Sequence, residues 1–470
     1  MLKRFSWPII FSTFLLTLVL FHSSLYYYFF QDDWFLLDWV NNHSFPSFFQ
    51  FRTDIIYWRP LSMPVWFFTL NKLFSLNSFA FHIASFTIFF ALVISVYKLL
   101  LLLIKNQKSA IIGTFLYATW SVHYMSLSWL STTSYIIGPL LQTLCFSTLI
   151  LFSKSKKKLY YFTSFLLFII ALTASEFTLV LPLIILIYFQ IESKKLPIKE
   201  LFPFFVTIGA YVFLRFVLFP VPAEGDYKIK IDLQVINNYV WYLLWSFNLP
   251  ESFKTLIFPN MLQKSAQVLT QFWQISTAST IFAITMLLGA KSAFKNNSKS
   301  IFLGVAWFVI GLLPVIFLTD HSYPIYLSFA GIGLVLIFAI VLQEAKSFLT
   351  VFLLIVWFGA SYFSTQFTKN THWIRNEQAV SKAYTQYVLT KIPNPSHNAA
   401  FIFRPANTDF SKKNQFALAD GVETIKLSLN YDSAMKVLYK DQSLRSVFLT
   451  YKQNIDLPPE MPIYDIDPLE

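Results

Sequence analysis

The chain has 470 residues, of which 56% are hydrophobic, 19% aromatic and 13% charged. A soluble chain carries about a quarter charged residues, so one water-soluble core is excluded and lipid is the solvent this composition requires. The net charge of +12 does not point to nucleic acid, because the lysines fall in short clusters between apolar runs, as in cytoplasmic loops, and not along a groove for phosphates.

In chain order, Met1-Leu2-Lys3-Arg4 precedes an apolar run that ends near Leu25, followed by Tyr26-Tyr27-Tyr28. The run is longer than the apolar core of a signal peptide and no small-residue cleavage site follows, so a retained signal anchor with an aromatic belt is expected. About eleven spans are predicted, at 7–29, 80–104, 109–126, 134–152, 159–174, 177–191, 201–219, 268–290, 301–319, 324–343 and 348–366. The sole cysteine, Cys145, falls inside one of them, so no intramolecular disulfide forms.

Loop charge sets the expected orientation. Lys105 and Lys108, Lys154 to Lys158, Lys194, Lys195 and Lys199, then Lys291, Lys295 and Lys299, and Lys346 all fall on the side of Lys3-Arg4, which places the N-terminus inside the cytoplasmic membrane. Two long outer loops follow, 31–79 and 220–268. The second contains Gly225-Asp226 and an amphipathic stretch at 237–247 whose Trp241, Tyr242 and Trp245 suit a helix lying in the membrane interface. The expected fold is thus an α-helical polytopic membrane domain over 1–366, with a small soluble C-terminal α/β domain over 367–470 on the outer side. In that tail, Ala400–Phe403 reads as a strand and the alternation in Thr424–Leu429 as another. Ser433–Tyr439 reads as a helix capped by Asp432, and Asp456–Pro462 as extended or frayed.

Polar groups near membrane depth are costly and mark candidate sites. Asp32-Asp33 directly follows the first span. The pair is either a base or metal-binding group at the membrane face, or an acidic N-cap on the helix that follows. Adjacent residues point about 100° apart on a helix, so one job for both is unusual. Arg59, in Trp58-Arg59-Pro60-Leu61-Ser62, suits either a phosphate clamp or a snorkelling cation. His82 sits near a span end with Asn71 before it. The short turn from His123 through Trp129 to Ser134 is rich in hydroxyls and suits a sugar-contacting wall or a wet helical hairpin. Glu176, between two apolar runs, requires a partner. Asp320-His321, followed by Tyr326, suits phosphate binding or helix capping. All these groups map to one face, whereas the opposite face is mainly lysines, which suggests one outward-facing site. With no glycine-rich phosphate loop, a lipid-linked donor fits better than a nucleotide sugar.

Several of these stretches together resemble the polyprenyl-phosphate-sugar-dependent GT-C glycosyltransferases, nearest to the protein O-mannosyltransferase-like enzymes. They are Gln31-Asp32-Asp33-Trp34, Trp58-Arg59-Pro60-Leu61, Leu70-Asn71, Phe81-His82, Ala118–His123 through Ser131, Ser175-Glu176-Phe177 through Leu183, and Tyr323–Gly331. The resemblance covers roughly residues 1–366. It implies inverting transfer of a sugar from a polyprenyl-phosphate donor to a glycan, lipid or protein acceptor, with Asp32 or Asp33 as base. By the same resemblance Arg59, His123, Glu176 or His321 positions phosphate and sugar. The two adjacent acids also suit a divalent ion, Mg or Mn. The chain departs from the pattern at Asp320-His321, where relatives often have an acid-arginine pair, and in its small tail, for which acceptor docking is one role. Two other classes stay open: a transporter or flippase of lipid-linked glycans, which needs polar groups on both faces and inverted repeats, and a non-catalytic scaffold.

Overall fold

The structure is a computed structural model that describes residues 6–53, 55, 57–192, 198–219, 225–257, 267–404, 421–449, 457–458 and 460–466. Lys3, Arg4, Lys194, Lys195, Pro220 and Asp456 lie outside these residues. The chain order is α1 (Ser6–Phe21), α2 (Asp32–Asn42), α3 (Trp66–Phe74), α4 (Ser78–Ile104), α5 (Gln107–Ala118), α6 (Tyr124–Ser128), α7 (Ser134–Ser155), α8 (Lys158–Leu172) and α9 (Leu181–Ile191). There follow α10 (Ile198–Val212), α11 (Gln234–Trp245), α12 (Phe253–Ile257), α13 (Trp273–Gly311), α14 (Leu327–Glu344) and α15 (Ser347–Thr371). The tail holds α16 (Trp373–Lys391), α17 (Gly421–Ser428), α18 (Ser433–Tyr439) and the strands β1 (Ala400–Phe403), β2 (Arg445–Phe448) and β3 (Ile463–Ile466).

Among the described residues seven helices are long and apolar enough to cross a membrane, and Lys158–Leu172 and Glu176–Ile191 are shorter apolar helices. Their outward faces carry side chains such as Phe162, Leu287, Leu288, Phe348 and Ile355, all exposed. Such faces are stable only against lipid. The chain is a multi-pass helical membrane protein. Local signals set the helix ends. The Asn77 side chain accepts the Ala80 N–H at 3.2 Å to start α4, and Lys105 closes it in a left-handed conformation with φ 60°. The Asn106 side chain caps α5 in the same way, and Lys156 closes α7 with φ 58°. Lysines so placed also face the negative ends of their helix dipoles.

Three predicted spans depart from expectation. The span at 109–126 is broken. α5 ends at Ala118, Trp120 is extended, and a short 3-10 turn over Ser121–His123 precedes α6. The spans at 268–290 and 301–319 share the single element α13, interrupted at Asn297 (φ −134°, ψ 32°). Its contacts climb α14 and then descend. Gly289 lies against Val341, the Asn297 side chain reaches Glu344 at 3.2 Å, Gly304 abuts Gly333 and Gly311 abuts Ala330. The two legs are therefore antiparallel, and the lysine-bearing connection is helical up to the break. α14, nearly all buried, is the post around which the other helices pack.

The amphipathic stretch forms α11, but its aromatic face turns inward. Trp241, Tyr242 and Trp245 are buried in the protein, while Ile236, Val240 and Leu243 are exposed. In the tail, β1 pairs in parallel with both β2 and β3. Ala400–Phe403 is a strand and Ser433–Tyr439 a helix, as expected. Thr424–Leu429 is not a strand: residues 421–428 form α17, because Val422, Ile425 and Leu429 make a buried stripe at helical spacing. Asp432 does not cap α18 with its side chain; its carboxylate accepts the Ser446 N–H at 2.7 Å instead.

Candidate active site

A cavity of 280 Å³ opens at one end of the bundle. Its walls come from five separate segments: the end of the first span and α2, the start of the region before α3, the α6–α7 turn, Tyr227, and the turn at 321–326. Trp373 of the tail completes it.

The two acids at the first wall have different surroundings. The Asp33 carboxylate is fully buried. Its Oδ1 accepts the Ser131 N–H at 2.8 Å and its Oδ2 accepts the Phe30 N–H at 3.3 Å. It joins the α6–α7 turn to the end of the first span, and α2 itself, with Gln31 at its N-cap position, has no side-chain cap. Asp32, one step around the helix, lines the cavity, and no described residue hydrogen-bonds its carboxylate. Asp32 is exposed to the cavity, and partial desolvation by the protein around it pushes its carboxyl up to about 6.

Arg59 also lines the cavity. Its Nε donates to Glu176 Oε2 at 2.7 Å, and Nη2 donates to Glu176 Oε1. Nη1 donates to Ser134 Oγ at 3.0 Å, Nη2 to the Tyr135 hydroxyl at 3.2 Å, and the guanidinium lies over the Tyr57 ring at 4.1 Å. Glu176 has the partner its position demanded and stands behind Arg59, outside the cavity wall. The planar cation is thus fixed at one place and orientation.

The remaining lining is aromatic and hydroxylic. Trp129 stacks on Phe30 at 5.7 Å and meets Trp373 edge-on at 5.1 Å. His321 packs on Tyr227 at 4.2 Å and beside Tyr323 at 4.8 Å, and Tyr326 lies 5.4 Å from Tyr135. Flat faces and hydroxyls around one acid and one cation match a sugar carrying a phosphate.

Five predicted site residues lie off the cavity wall, Glu176 among them behind Arg59. His82 is buried with Nδ1 on the Leu127 carbonyl at 3.1 Å, and His123 is buried with Nε2 on the Tyr117 carbonyl at 2.9 Å. Both satisfy backbone in the core, His123 because the break after α5 folds it inward. Asp320 turns away from the cavity to pair with Lys230 at 2.6 Å. Asp33 is the buried tie between two segments already described. Asp32 and Asp33 therefore do not converge on one ion, since backbone N–H groups occupy both Asp33 oxygens. Among the described residues no cluster of three or more His, Cys, Asp or Glu is arranged to hold a metal ion. The residues present do not fit a metal held by this pair.

Sequence reasoning passed over Gln31, Tyr57, Tyr135, Tyr227 and Trp373, and with them Glu377. Glu377 is buried one turn beyond Trp373 and accepts a hydrogen bond from Gln31 Nε2. One signal marked it: a glutamate inside the buried stripe Trp373, Glu377, Ser381, Tyr384, Val388 of an amphipathic helix.

Fold and site define a multi-pass helical membrane protein with one aromatic, acid-bearing cavity at an end of its bundle. No protein-family model and no curated protein matches the sequence. Among solved structures, the chain is similar to the oligosaccharyltransferase of Archaeoglobus fulgidus in its apo form, with a TM-score of 0.49 and 13% identity over 85% of this chain. The same enzyme in complex with Zn and sulfate gives a TM-score of 0.46 at 13% identity, covering 84% of this chain and 60% of the other. The arabinofuranosyltransferase AftD from Mycobacteria gives a TM-score of 0.42 at 14% identity, covering 86% of this chain and 30% of the other. The chain spans 62% of the length of the apo archaeal enzyme. These values are too low to carry an activity across.

Proposed function

We propose that this chain is a membrane glycosyltransferase that moves one sugar from a polyprenyl-phosphate donor to an acceptor at the outer membrane face. The observation that carries the reading is Asp32, a cavity-exposed acid without a hydrogen-bond partner among the described residues, whose carboxyl is pushed up to about 6 by the surrounding protein and which shares an aromatic cavity with a fixed arginine.

Asp32 accepts the proton of the acceptor's hydroxyl or other nucleophile as that atom attacks the sugar C1. The bond from C1 to the phosphate oxygen breaks, and the polyprenyl phosphate leaves with the electron pair. One free carboxylate suits a single in-line displacement, which inverts the anomeric centre; the double displacement of retaining chemistry uses a second carboxyl on the opposite face of the ring. Arg59, oriented by Glu176 and Ser134, stabilises charge on the departing phosphate. The rings of Trp129, Tyr323 and Tyr326 hold the apolar face of the sugar. A base of this kind contributes about a hundred- to ten-thousand-fold in rate. The lysine clusters between spans favour an orientation with the N-terminus inside and this cavity outside.

The test uses the full chain in lipid nanodiscs with a panel of radiolabelled polyprenyl-phosphate sugars and a membrane extract as acceptor source. Time-dependent transfer of label, with one polyprenyl phosphate released per sugar moved, is expected. Absence of both with every donor contradicts the reading.

A further inference from the structure

The tail holds the residue that precedes Asp32 from two directions. The Gln31 N–H donates to the Ser428 carbonyl of α17 at 3.0 Å, and the Gln31 side-chain amide donates to Glu377 of α16. Gln31 itself has φ 47° and ψ −126°, a region that strains a non-glycine residue and persists only where its surroundings enforce it. The flanking residues are held by the same helix. Trp34 Nε1 donates to Ser381 Oγ at 2.8 Å, and Ser381 Oγ donates to the Phe29 carbonyl at 2.6 Å. Residues 29–34, which carry Asp32, are thus clasped by the tail and not by the transmembrane helices alone.

We propose that Glu377 is a positioning residue for Asp32, acting through the Gln31 side chain. The inference rests on the reading of Asp32 as the base. Gln31 lines the cavity beside Asp32, whereas Glu377 stands behind it. With its acceptor removed, the Gln31 amide has no partner in the buried region and turns toward the water of the cavity. The strained backbone then relaxes, and the first turn of α2 rotates Asp32 off its line to the sugar. Burial, together with the Asp32 charge, raises the Glu377 carboxyl to about 8 and keeps it neutral at physiological pH. Its part is then that of a hydrogen-bond acceptor of fixed shape. A glutamine supplies the same acceptor and a leucine does not.

The experiment measures kcat, donor KM and thermal midpoint of the full chain in nanodiscs for wild type, Glu377→Gln, Glu377→Leu, Gln31→Met and the double variant Gln31→Met/Glu377→Leu. Glu377→Gln is expected to stay within about threefold of wild type. Glu377→Leu and Gln31→Met each lose about tenfold or more in kcat with donor KM within about twofold, as misplacement of a catalytic group does. The double variant falls no further than either single one, since both remove one contact. Wild-type kcat in Glu377→Leu, equal losses in Glu377→Leu and Glu377→Gln, or losses that multiply in the double variant overturn the proposal. Should Glu377→Leu fail to fold, Gln31→Met decides: an unchanged kcat there overturns it, and a loss in kcat at constant KM supports it. An inactive wild type contradicts the transferase reading and this inference with it, whereas an active wild type with unaffected variants contradicts only the role of Glu377.

Discussion

At the scale of residues, Asp32 and Asp33 are neighbours in sequence with opposite fates. Asp33 gives both oxygens to backbone N–H groups, and Asp32 keeps both for the cavity. Asp32→Asn is expected to lower transfer by about a hundredfold or more while the protein folds, measured with the labelled donor. Asp33→Asn puts an amide donor against a backbone donor and is expected to cost about 1–3 kcal/mol in thermal unfolding, with residual transfer following the folded fraction. As the proposed base, Asp32 would act only when ionised, so transfer should rise through a pH of about 6 and level above it. The same shift has a stability consequence. The folded carboxyl binds its proton more tightly than the unfolded one, whose ordinary value is 3.8, so stability falls as pH rises from there to about 6. Asp32→Asn removes that loss. Its thermal midpoint at pH 7.5 is expected to lie above that of wild type. The pair was legible in the sequence as an acidic doublet after a span. Which acid faces the cavity was not, because it depends on the Ser131 N–H, 98 positions away in sequence. His82 and His123 misled for a related reason: their partners are carbonyls, which no residue pattern marks.

At the scale of elements, apolar runs made most spans readable, and the lysines that close α4 and α7 showed where they end. The break after Ala118 carries no proline or glycine and was invisible. The strand read at Thr424–Leu429 failed because six alternating residues are too few to outweigh the helical stripe of Val422, Ile425 and Leu429. The hairpin of α13 on α14 depends on glycines that let backbones meet. A Cβ at Gly333 would lie 2.4 Å from the Gly304 carbonyl oxygen and 2.8 Å from Trp307 Cβ, and the backbone partner cannot yield. Gly333→Val is therefore expected to lose about 1–3 kcal/mol or more in thermal unfolding and to shift the protein toward aggregates on size exclusion. Gly359 in α15 has nothing within 4 Å of its Cβ position, and Gly359→Ala should be neutral or stabilising by about 0.5–1 kcal/mol.

At the scale of the whole molecule, the fall in hydropathy after residue 366 announced the tail, but not where it docks. Phe29, Trp34, Leu37, Phe67 and Phe81 of the segments from the end of the first span to α4 share a hydrophobic core with Val388, Phe401, Leu429 and Met435 of the tail. The contact joins residues more than 300 positions apart, and neither face is distinctive in sequence. Truncation after Thr371 strips this core and the Gln31 contacts together, so the shortened chain is expected to lose stable membrane expression, checked by fluorescence-detected size exclusion of the detergent extract. Trp373 of the tail completes the cavity around which the segments after the first span, the α6–α7 turn and the turn at 321–326 meet. The central claim is that this cavity receives the donor head group. A cryo-electron microscopy structure of the full chain in nanodiscs with added polyprenyl phosphate tests it most directly. Phosphate density between Arg59 and Asp32, with the chain leading out to the bilayer, is the predicted result. A phosphate bound at the lysine-bearing face, with the Asp32 cavity empty, would contradict it.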